Sequence, residues 1–119
     1  MKKFLITDLH HVQLAIPVGG ENAARAFYVD VLGLTEIDKP AALAGRGGLW
    51  LRGGDLHLHL GVEDPFAPAR KAHPALVVDD LAAAHAALPD PTAISALPGL
   101  QRFYVADPFG NRIEILQLD

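Results

Sequence analysis

Three residues of this 119-residue chain have the types and placement to hold a divalent metal: His11, His73 and Glu114. His11 opens the run His11-Val-Gln-Leu14-Ala-Ile16, and His73 opens His73-Pro-Ala-Leu76-Val-Val78. Both runs are β-like, and each leads towards a segment with helical spacing. The pattern suggests one supersecondary unit used twice, with a histidine at the same point of each copy. Glu114 lies on the last strand-like run, Arg112-Ile-Glu-Ile-Leu-Gln-Leu118. Two imidazoles and a carboxylate leave coordination positions open on a divalent ion. A metalloenzyme is the leading expectation.

The elements that must position these groups follow from periodicity. In the first run Val12, Leu14 and Ile16 share one face, while His11, Gln13 and Ala15 share the other. Pro17 and Gly19-Gly20 end it. Glu21 to Leu32 has an apolar stripe at helical spacing, Ala24, Phe27, Tyr28 and Val31, and Gly33 stands where a helix ends. A strand between Thr35 and Ala44 and a hairpin of Gly48–Arg52 with Asp55–Gly61 complete a β-α-β-β-β unit. The second unit repeats the order. A strand over Ala72–Val78 precedes a helix from Leu81 to Leu88, capped by Asp79 or Asp80 and stopped by Pro89-Asp90-Pro91. After an irregular stretch to Gly99, Gln101–Ala106 and Arg112–Leu118 form a hairpin around Asp107-Pro-Phe-Gly-Asn111. The expected architecture is α+β, one domain over residues 1–119, with module one at 1–63, a proline-bearing linker at 64–71 and module two at 72–119.

Composition narrows the function classes. Half of the residues are hydrophobic and a fifth charged, as in a folded globular domain. A formal net charge of −4 with scattered basic residues argues against a nucleic-acid partner. Lys2 and Lys3 precede too short an apolar run for a signal peptide, and no stretch reaches membrane-spanning length. The absence of cysteine excludes disulfides and thiolate chemistry and is compatible with a cytoplasmic location.

Strand parity gathers the polar groups. Leu56, Leu58 and Leu60 share one face of their strand, and His57 and His59 share the other; Ile113 and Ile115 oppose Glu114. One face therefore collects His11, Gln13, His57, His59, His73 and Glu114, where a solvated surface would more usually carry Lys, Glu and Thr. Taken singly, His11 or His73 is as readily structural as functional; their repeat-related placement, with Glu114, favours ligands, while His57 and His59 suit a ligand, a substrate contact or a solvated residue. His10 precedes His11 on the opposite face and reads as packing or surface. His85 reads as a core-edge residue, Arg70 and Lys71 as surface charges. Trp50 and Phe66 suit the cleft, the core or a dimer interface equally.

His11-Val-Gln-Leu14, Phe27-Tyr-Val-Asp-Val-Leu-Gly-Leu34, His73 and Phe103-Tyr-Val-Ala-Asp-Pro-Phe-Gly-Asn-Arg-Ile-Glu114 together resemble the vicinal oxygen chelate superfamily. That superfamily includes glyoxalase I, fosfomycin-resistance proteins, bleomycin-resistance proteins and extradiol dioxygenases. The resemblance implies paired βαβββ modules that each form half of a cleft around a metal. It also implies a homodimer in which His11 comes from one chain and His73 and Glu114 from the other. The ion would be Mn²⁺, Fe²⁺, Ni²⁺, Co²⁺ or Zn²⁺. Glyoxalase I normally adds a Glu or Gln ligand on the last strand of its first module; here that strand offers only His57 and His59, which lowers the expectation of glyoxalase I activity itself. Glu114 and His59 are the candidate catalytic residues, and Gln13, His57, Arg102 and Tyr104 the candidate substrate contacts. The expected activity is a lyase, isomerase or group addition on a small oxygen-chelating substrate, through a metal-stabilised oxyanion. The alternatives are a metal-free sequestering protein of the bleomycin-resistance type and an extradiol-type dioxygenase.

Overall fold

The computed structural model describes residues 3–119, so Lys2 of the leader argument lies outside the described residues. The first sheet comprises β1 (Val12–Ile16), β2 (Thr35–Ile37), β3 (Leu49–Gly53) and β4 (Leu56–Val62), in the order β1-β4-β3-β2. The second comprises β5 (Ala75–Val77), β6 (Ser95–Leu97), β7 (Leu100–Ala106) and β8 (Arg112–Leu118), in the order β5-β8-β7-β6. In each, the first strand pairs in parallel with the last and the other pairings are antiparallel. The duplicated order expected from the two histidine-led runs is therefore the order observed.

Each sheet turns an apolar face to its own helix. Helix α1 (Glu21–Ala24) continues as a π-helical stretch over Arg25–Val31, where Leu32 N donates to Phe27 O at 2.9 Å. Ala24, Phe27 and Tyr28 are buried with Leu14, Ile16, Leu49, Leu51, Leu58 and Leu60. Helix α2 (Leu81–Ala87) starts at Asp80, whose side chain accepts from Ala83 N at 3.0 Å. Leu81 and Leu88 are buried in the same core as Phe103, Val105, Ile113 and Ile115.

Three local expectations need correction. The strand between Thr35 and Ala44 ends at Ile37 and gives way to a 3₁₀ turn over Ala41–Arg46, because Pro40 cannot donate to a ladder. The strand at Ala72–Val78 shrinks to Ala75–Val77, with Pro74 just before it acting only as acceptor, from Glu114 N at 3.0 Å. The irregular stretch before Gly99 contains β6, which pairs Ser95 with Arg102. At the start of β3, Gly48 has φ +80°, and a Cβ there would lie 2.1 Å from the Leu60 carbonyl oxygen. Only glycine lets β3 approach β4 so closely.

The loop Asp107–Asn111 fastens the second sheet to the first. Tyr28 OH donates to Asp107 Oδ2 at 2.6 Å, and burial together with the Asp107 charge pushes the phenol pKa far above its ordinary value. Asn111 Nδ2 donates to Ala15 O at 2.9 Å and to Asp107 Oδ2 at 2.8 Å, while Asn111 Oδ1 accepts from Ala69 N at 2.8 Å. Asp107 Oδ1 accepts from Phe109 N and Asn111 N, both at 2.9 Å. Asn111 is wholly buried and Asp107 nearly so. Tyr28 and Asp107 thus join the two segments most diagnostic in the sequence, and the task they share is structural.

Candidate functional site

The side chains opposite the helices form two different polar faces. On the first sheet, Gln13 and Trp50 both register with His59, and Arg52 with His57. The ring of His59 stacks between His11 and Trp50, with centroids 4.1 Å away on each side and interplanar angles of 17° and 8°. Both faces of the buried His59 imidazole are therefore covered. Its pKa is lowered, first by burial and then by the neighbouring His11, His10 and His57, so the neutral, proton-accepting form is favoured. Gly61 makes room for Gln13, since a Cβ there would lie 2.5 Å from Gln13 Nε2.

His10 departs from the expectation of an opposite-face residue. Its Nδ1 lies 2.9 Å from His11 Nδ1, and its ring stacks over His57 at 6.0 Å. Strand alternation does not govern it, because β1 begins only at Val12. The contact engages Nδ1 of His11 and leaves Nε2 to meet another group.

On the second sheet, His73 Nε2 lies 2.9 Å from Glu114 Oε1. His73 Nδ1 lies 2.9 Å from the Lys71 carbonyl, which can only accept, so this nitrogen carries the proton. Nε2 then faces the carboxylate either with a second proton or with a lone pair that needs a cation shared between them. The separation also suits two adjacent ligands on one ion, with bonds of about 2.1 Å. A carbonyl bonded to the distal nitrogen is the usual way a ligand histidine is held in orientation. Glu114 is 7% exposed, so its charge needs a partner; Arg102 Nη1 stands 3.6 Å from its other oxygen. Arg102 Nε is buried without a hydrogen-bond partner. Tyr104 has Arg102 and Arg112 at 5.2 and 5.1 Å from its ring centroid, and its ring meets His73 edge-on at 5.4 Å.

His73, Glu114, Arg102 and Tyr104 are thus brought together, as are His11, Gln13, His57 and His59, but the two groups belong to different sheets. Among the described residues, no three His, Cys, Asp or Glu side chains of one chain converge as a metal-binding set. Arg112 was missed as a member of the second face, although it shares strand parity with Glu114. Arg70, expected as a surface charge, is exposed but also lines a cleft of about 400 Å³ with Tyr104, Arg112, Thr92 and Asp90. Lys39 and Arg46 were missed on the first face. They come from the 3₁₀ turn and its approach, where no periodic pattern points to a site. His85 takes the place foreseen for it, half-buried and edge-on to Phe103 at 4.9 Å, with Nε2 2.9 Å from Thr92 O.

Comparison with known proteins agrees with this fold. Solved structures of similar form include a glyoxalase family protein from Bacillus anthracis, 42% identical, with a TM-score of 0.92, covering 99% of this chain and 100% of that one. TnmS3, an antibiotic binding protein from Streptomyces sp. CB03234, is 25% identical with a TM-score of 0.72, covering 97% of this chain and 100% of its own. The fosfomycin resistance protein FosX from Listeria monocytogenes shares the fold at 14% identity and a TM-score of 0.77, covering 97% of this chain and 96% of that one. Among curated proteins, none matches this chain. Residues 8–115 match the family described as the glyoxalase/bleomycin resistance protein/dioxygenase superfamily, and the chain belongs to that superfamily.

Proposed function

We propose that this protein is a divalent-metal-dependent, glyoxalase-like enzyme acting on a small oxygen-chelating substrate, by lyase, isomerase or group-addition chemistry. The observation that carries this reading is the His73–Glu114 pair, a buried carboxylate against an imidazole whose distal nitrogen is tied to a carbonyl. His73 and Glu114 of one copy and His11 of a second would hold Mn²⁺, Fe²⁺, Ni²⁺, Co²⁺ or Zn²⁺. When bound, the ion supplies Lewis-acid stabilisation of charge developing on substrate oxygen. Arg102, with an unpartnered Nε, and Tyr104 bind and orient the substrate. Gln13 and His57 offer hydrogen bonds from the first sheet. His59, kept neutral by its surroundings, accepts a proton as general base.

A homodimer belongs to this reading, since one chain holds its candidate ligands in two separate sheets. The radius of gyration, 15.4 Å, exceeds the roughly 13.5 Å of a compact chain of this length. Phe4, Leu5, Ile6 and Leu9, just before His11, are exposed apolar residues that a second copy would cover. Residues 1–63 and 72–119 act as two modules of one domain, joined by 64–71. No helix among the described residues is long and apolar enough to cross a membrane. The cysteine-free composition accords with a cytoplasmic setting.

The second reading is a metal-free protein that sequesters a drug or metabolite, favoured by the likeness to an antibiotic binding protein. Elemental analysis separates the two. Near-stoichiometric metal, lost in His73→Ala and Glu114→Ala, is the result expected of the enzyme. Protein that stays empty after incubation with each of the five ions, Fe²⁺ under anaerobic conditions, would instead be the binder.

A further inference from the structure

We infer that Lys39 and Arg46 form an anion clamp over the first sheet, and that the substrate is a small organic oxyanion. The inference rests on the reading that this face receives substrate. A cleft of about 450 Å³ lies there, lined by His10, His11, Gln13, Trp50 and His59 below, by Lys39 from the approach to the 3₁₀ turn and by Arg46 from its end, with Leu43 among its apolar residues. The volume suits a small metabolite. No carboxylate lines it, although the chain as a whole carries a net charge of −4. Glu21 reaches Gly47 without entering the lining.

The floor opposes no anion: His11, His59 and Trp50 stack face to face, and no acidic side chain stands among them. Lys39 is half-buried, and its ammonium donates to the Gly47 carbonyl, which places it across the turn with two donors to spare. Arg46 is exposed and has no carboxylate within 4.0 Å among the described residues. A carboxylate or a phosphate ester offers the acceptor oxygens that an ammonium and a guanidinium share.

Trp50 is the only tryptophan of the chain, so its fluorescence reports on this cleft directly. The test titrates chelator-treated protein with benzoate, phenyl phosphate and the neutral benzamide. Saturable, salt-sensitive changes with one or both anions but not with benzamide are expected, and the tighter anion identifies the acid group. Arg46→Gln and Lys39→Gln are each expected to weaken that binding at least about tenfold. An equal response to benzamide, no saturable response to either anion, or wild-type affinity in both variants would overturn the inference. Metal analysis of the same proteins keeps the two proposals apart. Metal uptake without anion binding defeats the clamp alone, and anion binding by a protein that takes up no metal defeats the metalloenzyme alone.

Discussion

The two sheets share one strand order and one pattern of parallel and antiparallel pairing, yet their open faces solve different electrostatic problems. The first face stacks three rings, His11 on His59 on Trp50, with Lys39 and Arg46 at the rim. The second buries the Glu114 charge and surrounds it with His73 and Arg102. The frame is common to both sheets, and the side chains on the open faces make the difference. A face of stacked imidazoles can accept a proton and line a cleft; a face with a buried carboxylate can anchor a cation. Neither face alone offers the three-ligand set that the sequence suggests.

The largest effect expected from breaking this comparison concerns metal. Glu114→Ala or His73→Ala should weaken metal binding by at least about a hundredfold, measured by competition with a chromophoric chelator. His59→Ala, on the other face, should change it by less than about tenfold. Equal losses would make His59 a ligand and erase the division of labour.

Next comes the fastening that keeps the two faces on one frame. Asn111→Ala removes donors and acceptors to Ala15, Asp107 and Ala69 in a wholly buried position. It should cost about 2–4 kcal/mol in thermal or denaturant unfolding. The exposed Arg25–Glu36 pair, 2.8 Å apart, is the contrast: Arg25→Gln should cost no more than about 1 kcal/mol.

The faces also differ in their response to pH. His59 has a folded-state pKa below its ordinary 6.5, caused mainly by burial. As pH falls through about 6.5 the unfolded chain takes up the proton first, so stability drops on that side and is retained above it. Metal-free protein should therefore lose melting temperature between about pH 7.5 and about pH 5.5, and His59→Gln should lose less. An identical slope in the variant would place the titration elsewhere.

Much of this was legible in the residues because periodicity carries it. The alternation through Leu56–Gly61 separated His57 and His59 from the leucines, and the same parity set Glu114 apart from its isoleucines. The glycine and aspartate turns marked both hairpins. What escaped had no periodic signature. His10 lies before β1, where alternation does not yet apply; Lys39 reaches its cleft from just before Pro40, and Arg46 from the end of the turn that follows it. In the sequence the Asp107–Asn111 loop shows only a turn and a family signature. Its bonds to Tyr28 and Ala15 span long sequence separations that no local pattern reveals.

The central claim, that His11 of one copy completes the site begun by His73 and Glu114 of another, is tested most directly by complementation. His11→Ala and Glu114→Ala proteins are each loaded with metal, then unfolded together, refolded as a mixture and loaded again. Each variant alone should hold little metal. In the mixture, half of the dimers are mixed and each regains one intact site, so about a quarter of the chains should carry metal. A mixture that stays as empty as its components would contradict the shared site.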